Sequence, residues 1–332
     1  MSNSNVVPFE THDGLELAST APESRPYLVD GLLLEVGVSM LVAKPKCGKS
    51  TFVRQLAYSV AEDVPFLGKT VRCGSVLLLN LEGQIGVVQE HFRKLGLTGQ
   101  RGKVKVIDER MPRNGQFGLQ RLAATIRTIP DLRLVIVDTV NKLLRIPDTT
   151  STEPVELAVE DLEALAKESG IHILFTQHAR KRVTDDPGDA AIGNTKFRGG
   201  TDTNIFLVKD GSRRIIGTEQ RWGTALEATY LTFDIERQTV ELGTTVEAAE
   251  ESRREARTRE TEARIEHEIL DSLLGKNLTV RELIDTVTGQ DATKLKVLGR
   301  MESAGRVVAE QDGRAKRYSR VEIPTEERTV AA

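Results

Sequence analysis

Leu41–Phe52 reads LVAKPKCGKSTF. It ends an apolar run, Val36–Ala43, and leads into Phe52–Ala61, whose apolar residues recur with helical spacing. Strand, turn and helix in that order is the setting in which a loop can cradle phosphates. Gly48-Lys49-Ser50 supplies the defining end of such a loop: backbone N–H groups for phosphate oxygens, an ammonium for the β/γ-phosphates and a hydroxyl for Mg²⁺. A helix starting at Lys49 adds the positive end of its dipole. The expected nucleotide-binding segment is therefore Ala43, Lys44, Pro45, Lys46, Cys47, Gly48, Lys49, Ser50 and Thr51, with ATP and Mg²⁺ as its ligands. Two positions depart from the usual pattern. Ala43 stands where its first glycine belongs, and Lys46 where many such loops carry another.

The chain around this loop has 332 residues, room for a full α/β core and a second domain. A hydrophobic fraction of 39%, a charged fraction of 29% and a net charge of −3 describe an ordinary soluble chain with no global pull toward nucleic acid. Two cysteines, Cys47 in the loop and Cys73 in a turn, give no disulfide framework, so a reducing cytoplasm is expected. No apolar run approaches the roughly 20 residues of a membrane span, and no membrane partner is expected.

Outward from the loop, apolar runs alternate with helical spacing. Gly74–Leu81 (GSVLLLNL), Lys103–Ile107, Leu132–Val137 (LRLVIV) and Ile171–Thr176 (IHILFT) read as strands. Ile85–Leu95, Leu119–Thr128 and Pro154–Glu168 read as helices between them. This alternation is the signature of an α/β fold with a mostly parallel sheet. Thr203–Val208, Arg214–Thr218, Thr229–Phe233 and Thr239–Leu242 read as a β-rich extension of that sheet. The expected organisation is a flexible N-terminal arm (1–26), a core (27–245), a charged helical linker (246–261), a second small domain (262–323) and a tail (324–332).

Three strand ends carry candidate chemistry. Asp138 closes LVIVD and is placed to hold Mg²⁺ together with Ser50, as a Walker B aspartate does. Glu82 follows the strand after the loop helix, where a carboxylate can activate water. Gln177 ends IHILFTQ, where an amide can sense the γ-phosphate. With LLLNLE, LVIVD and LFTQHARK beside AKPKCGKST, residues 27–243 resemble the RecA/DnaB class of P-loop ATPases, and within it the RepA-type replicative helicases of plasmids and phages. The resemblance implies a RecA-like core with Lys49, Glu82 and Gln177 as catalytic residues and Asp138 as Walker B. It implies assembly as a ring, commonly a hexamer. Glu219-Gln220-Arg221-Trp222-Gly223 is similar to the K-x-R-x-G segment of that class, which makes Arg221 the arginine finger in trans, worth about 10³–10⁵ in rate. The companion lysine of that segment is replaced by Glu219; Arg213 and Arg214 are rival fingers.

Two places suit DNA. Arg180, Lys181, Arg182, Lys196 and Arg198 lie on a loop that, in RecA-like proteins, lines a central channel for single-stranded DNA. Further on, helix, helix–turn–helix and a hairpin around Asp312-Gly313 read as a winged-helix domain. Asp291–Arg320 holds eight Lys/Arg against four acids. Lys294, Lys296 and Arg300 are expected to face duplex DNA from the recognition helix, with Arg314, Lys316 and Arg317 on the wing. The function expected is a DNA-dependent, ATP-hydrolysing oligomeric motor. An ATP-gated DNA-binding regulator is the alternative, and a small-molecule kinase a more distant one.

Overall fold

The computed structural model describes residues 11–20, 25–109, 115–144, 153–179, 200–313 and 315–321. The chain divides into two compact units, Met1–Val246 and Glu247–Ala332.

In the first unit, a short helix, α1 (Gly14–Ser19), lies within the expected arm; Asp13 caps it by accepting from the Leu15 and Glu16 amides. A small hairpin, β1 (Tyr27–Val29) and β2 (Leu33–Leu34), precedes the core. The core runs β3 (Gly37–Ala43), α2 (Lys49–Glu62), β4 (Ser75–Asn80), α3 (Ile85–Leu95), β5 (Val104–Ile107), α4 (Gly115–Ile126), β6 (Leu132–Asp138), α5 (Val140–Leu144), α6 (Glu153–Ser169) and β7 (His172–His178). It continues through β8 (Thr203–Asp210), β9 (Arg213–Gln220), β10 (Thr229–Asp234) and β11 (Thr239–Thr245). All from β3 onward join one nine-stranded sheet, ordered β11-β10-β9-β8-β3-β7-β6-β4-β5. From β8 to β5 every pairing is parallel, and β9, β10 and β11 add antiparallel strands beyond β8.

Central strands buried on both faces explain the unbroken apolar runs. Leu41, Leu78, Leu134, Ile136 and Leu174 pack with α2 and α3 on one face. Met40, Leu77, Val135, Val137 and Phe175 pack with α4, α5 and α6 on the other. The carboxyl ends of β3, β7, β6 and β4 lie side by side, with Ala43 beside His178 and Asp138 beside Asn80. In open α/β sheets this is the edge at which ligands bind.

The second unit opens with α7 (Val246–Ser272), followed by β12 (Leu278–Thr279), α8 (Val280–Thr286), α9 (Asp291–Ser303), β13 (Val307–Asp312) and β14 (Ala315–Arg320). The three strands form a sheet ordered β12-β14-β13 over a core that includes Ile265, Ile269, Leu283, Val297 and Met301. Thr279 and Glu282 form the capping box their spacing predicts. The expected linker and the helix after it are one helix. No glycine or proline interrupts 246–272, and i,i+4 pairs such as Arg254–Glu250, Arg259–Glu255 and Arg264–Glu268 run along it. Among the described residues no helix is long and apolar enough to cross a membrane.

Candidate active site

The loop between β3 and α2 shows why its two departures from pattern are tolerated. Ala43 is still strand, paired to His178 and Leu207, and needs no glycine. Lys46 takes φ +64, the left-handed conformation in which glycine is common, at a cost of about 1–2 kcal/mol for a side chain. Gly48, at φ +100, has no such latitude: a Cβ there would also collide with the Phe233 ring.

Lys49 is buried, and its Nζ donates to the Ala43 carbonyl at 3.0 Å and sits 3.2 Å from His178 Nδ1. Burial lowers its pKa; Asp138, Cys47 and Glu82 oppose that shift. Ser50 Oγ donates to Asp138 Oδ2 at 2.9 Å, and Thr176 Oγ1 donates to Asp138 Oδ1 at 2.6 Å. A hydroxyl and a carboxylate held this close are the two protein oxygens that Mg²⁺ takes beside phosphate oxygens and water. Among the described residues no group of three or more His, Cys, Asp or Glu gathers into a separate metal site. The donor set fits Mg²⁺ on a nucleotide.

Glu82 lies just past β4. Its Oε1 accepts from Thr139 Oγ1 at 3.1 Å and its Oε2 is 3.0 Å from His178 Nε2. Asn80 holds the bend beneath it, donating to the Gly83 carbonyl and to Asp108 Oδ1, both at 2.9 Å. A side chain at Gly83 would crowd Asn80 and Arg54, its Cβ lying 2.6 Å from Asn80 Oδ1 and 3.2 Å from the Arg54 guanidinium.

His178 therefore bridges the loop lysine and the candidate base. An ammonium only donates, so Nδ1 accepts from Lys49 and Nε2 carries the proton donated to Glu82. Gln177, the expected γ-phosphate sensor, belongs to the other face. Side chains alternate along a strand, and Gln177 follows Ile173 and Phe175 toward α4–α6. Its Oε1 is buried there with no hydrogen-bond partner among the described residues. The residue that joins Thr176 on the loop-helix face is His178.

The arginines sort by register. Gln220 pairs with Thr203, at the end of the sheet far from the loop, so the exposed Arg221 lies there too. Arg213 pairs with Asp210 and Arg214 with Lys209, at the loop end. Arg214 Nε donates to the Cys47 carbonyl of its own chain at 3.1 Å.

Residues 7–183, a little over half of the chain, match the AAA domain family. The chain belongs to the AAA domain family. It is accordingly a P-loop protein of the AAA ATPase type, consistent with the RecA/DnaB class. No curated protein matches it.

The second unit of this AAA domain protein engages its cations internally. Lys294 does not face outward as expected. It is buried, donating to the Ile284 carbonyl at 2.8 Å and to Asp291 at 3.1 Å, because its stem continues the inward stripe of Val297, Leu298 and Met301. Lys296 and Arg300 both reach Glu262, at 3.0 and 2.5 Å, and Arg306 pairs with Glu266. Lys316 meets Glu302 at 2.7 Å and Arg317 meets Asp312 at 2.7 Å. Arg180, Lys181, Arg182, Lys196, Arg198 and Arg314 lie outside the described residues.

Proposed function

We propose that this AAA domain protein is an Mg²⁺-dependent ATPase that works as an oligomer on DNA, a motor of the RecA/DnaB class similar to the RepA-type replicative helicases. One observation carries the ATPase reading: Lys49, the Ser50–Asp138 pair and the Glu82–His178 pair converge on one sheet edge. Lys49 and the loop amides bind the phosphates, and Ser50 and Asp138 hold Mg²⁺, which when bound neutralises charge on the β- and γ-phosphates. Glu82 accepts the proton of the attacking water, and His178 and Thr139 aim its carboxylate. One imidazole contacts both the phosphate-binding lysine and the base. Filling the phosphate site and arming the base are therefore coupled.

The DNA reading rests on the second unit, whose helices α7, α8 and α9 with a β13–β14 hairpin have the element order of a winged helix. The switch reading, a slow ATP-gated regulator, is favoured by Glu219 standing where the class carries the companion lysine; Arg221 itself lies at the sheet end far from its own phosphate loop. A finger at Arg221 can act only in a neighbouring subunit's site.

The deciding assay is ATP hydrolysis per subunit against protein concentration, with and without single-stranded DNA, for wild type, Arg221→Ala and Arg213→Ala. A motor gives a rate that rises with both and falls about 10³-fold or more in the finger variant. A slow rate, flat in concentration and DNA and indifferent to either substitution, leaves only the switch.

A further inference from the structure

The antiparallel strands β9–β11 are tied to the phosphate-binding apparatus at three points. Gln55, on α2, pairs with both the Val240 amide and carbonyl, at 2.5 and 3.2 Å. The Phe233 ring fills the space over Gly48 that any side chain would need. Arg214 stacks its guanidinium on that ring, 4.3 Å from the centroid, and donates Nε–H to the Cys47 carbonyl at 3.1 Å. Register explains the meeting. Arg214 pairs with Leu231, and Phe233 lies two residues on, so all three side chains share the face that holds α2.

The Cys47 carbonyl belongs to the same peptide unit as the Gly48 amide. In a planar trans peptide the two point in opposite directions, so fixing the carbonyl fixes the N–H. Gly48 is the residue whose freedom most needs fixing, because φ +100 is open to glycine and its rotation costs little. We infer that Arg214, seated on Phe233, is a positioning residue that locks the Cys47–Gly48 peptide so that the Gly48 N–H faces the nucleotide's phosphates. Its charge also polarises that peptide in the direction that strengthens the N–H as a donor. Engaged in this way with its own chain, Arg214 is not an arginine finger for a neighbour. The inference rests on the nucleotide-binding reading above and adds a residue that no loop motif contains.

The test is ADP affinity by calorimetry on the full chain, with ATP kinetics and Tm alongside, for wild type, Lys49→Ala, Arg214→Met, Arg214→Lys and Arg214→Gln. Arg214→Met keeps the apolar stem and removes the donor. It should weaken ADP roughly ten- to a hundredfold and raise KM for ATP by more than it lowers kcat. Arg214→Lys and Arg214→Gln each restore a donor and should recover part of the loss, which a merely packing role would not produce. If Arg214→Met fails to fold, Arg214→Lys and Arg214→Gln decide by the same measure: intermediate affinity supports the inference. Wild-type ADP affinity in the Arg214 variants, with Lys49→Ala still defective, overturns the inference and leaves the nucleotide reading standing. Equal loss in all three Arg214 variants also overturns it, as packing alone. A wild-type chain that does not bind ADP removes both.

Discussion

Glu82 is held by Thr139 Oγ1 on one oxygen and His178 Nε2 on the other, and a glutamine can keep both contacts, its oxygen accepting from His178 and its amide donating to the Thr139 hydroxyl, which can turn to accept. Glu82→Gln should therefore keep the loop in place, bind ADP as wild type does, and lower kcat by about 10²–10⁴ because the amide cannot take a proton. Steady-state kinetics beside ADP titration checks this, and unchanged turnover would remove Glu82 from its role. His178 acts on the water only through that carboxylate. His178→Ala should thus cost less, on the order of 10- to 100-fold in kcat, while Gln177→Ala on the opposite face leaves kcat near wild type. The reverse ranking would sink the face assignment. Lys49, Ser50 and Asp138 were legible because their motif fixes spacing and strand context together. The place of Gln177 at a strand end suggests a sensor, whereas the strand continues to His178 and side-chain alternation turns His178, not Gln177, toward α2. Counting parity from Asp138's partner Thr176 would have found it.

Elements buried on both faces announced themselves, since β3, β4, β6 and β7 are runs of apolar residues that only a covered parallel sheet can use. Surface elements did not. A composition shift at Glu247 marks a change in what the helix faces, not a break in the backbone, so a linker and a domain helix read as two while α7 is one. On α9 the basic residues could be counted but not aimed. Lys294 bridges α8 to α9 through the Ile284 carbonyl. Lys294→Ala should destabilise the second unit by about 1–3 kcal/mol in urea unfolding and leave DNA affinity unchanged. Glu262 does the opposite work, since its carboxylate is held below the usual range by hydrogen bonds from Lys296 and then Arg300. Glu262→Gln leaves those two cations unneutralised. If α9 reads DNA, the variant should bind duplex more tightly with a steeper salt dependence. Unchanged affinity and slope would take α9 away from the DNA surface.

At the scale of the whole chain, the two units answer acid by different chemistry. The first holds two buried histidines neutral: His91, pushed down to about 4 by burial and by the nearby Arg54 charge, and His172, pushed down to about 3 by burial within β7. The unfolded chain takes up these protons below about pH 6.5, and the folded one does not until pH 4 or lower. Their contribution is therefore complete above pH 6.5 and declines as pH falls toward 4, by a few kcal/mol in all. The second unit depends on carboxylates. Glu262 is held down by Lys296, Glu268 by the Thr288 amide and Glu282 by the Thr279 amide, so their contribution persists above the ordinary carboxylate value and is lost only below it. Trp222, the single tryptophan, lies in the first unit with Arg25 stacked on it. Far-UV circular dichroism reports the helices of both units, α2 to α6 in the first and the long α7 in the second. An acid titration should shift tryptophan fluorescence between pH 6.5 and 4 together with part of the helix signal, and the rest of the helix signal should be lost in a second step below about pH 4.5. His172→Gln, which cannot gain a proton, should move the first transition to lower pH and leave the second in place. Coincident transitions in wild type would mean that the two units unfold as one and that the histidines do not set the first step.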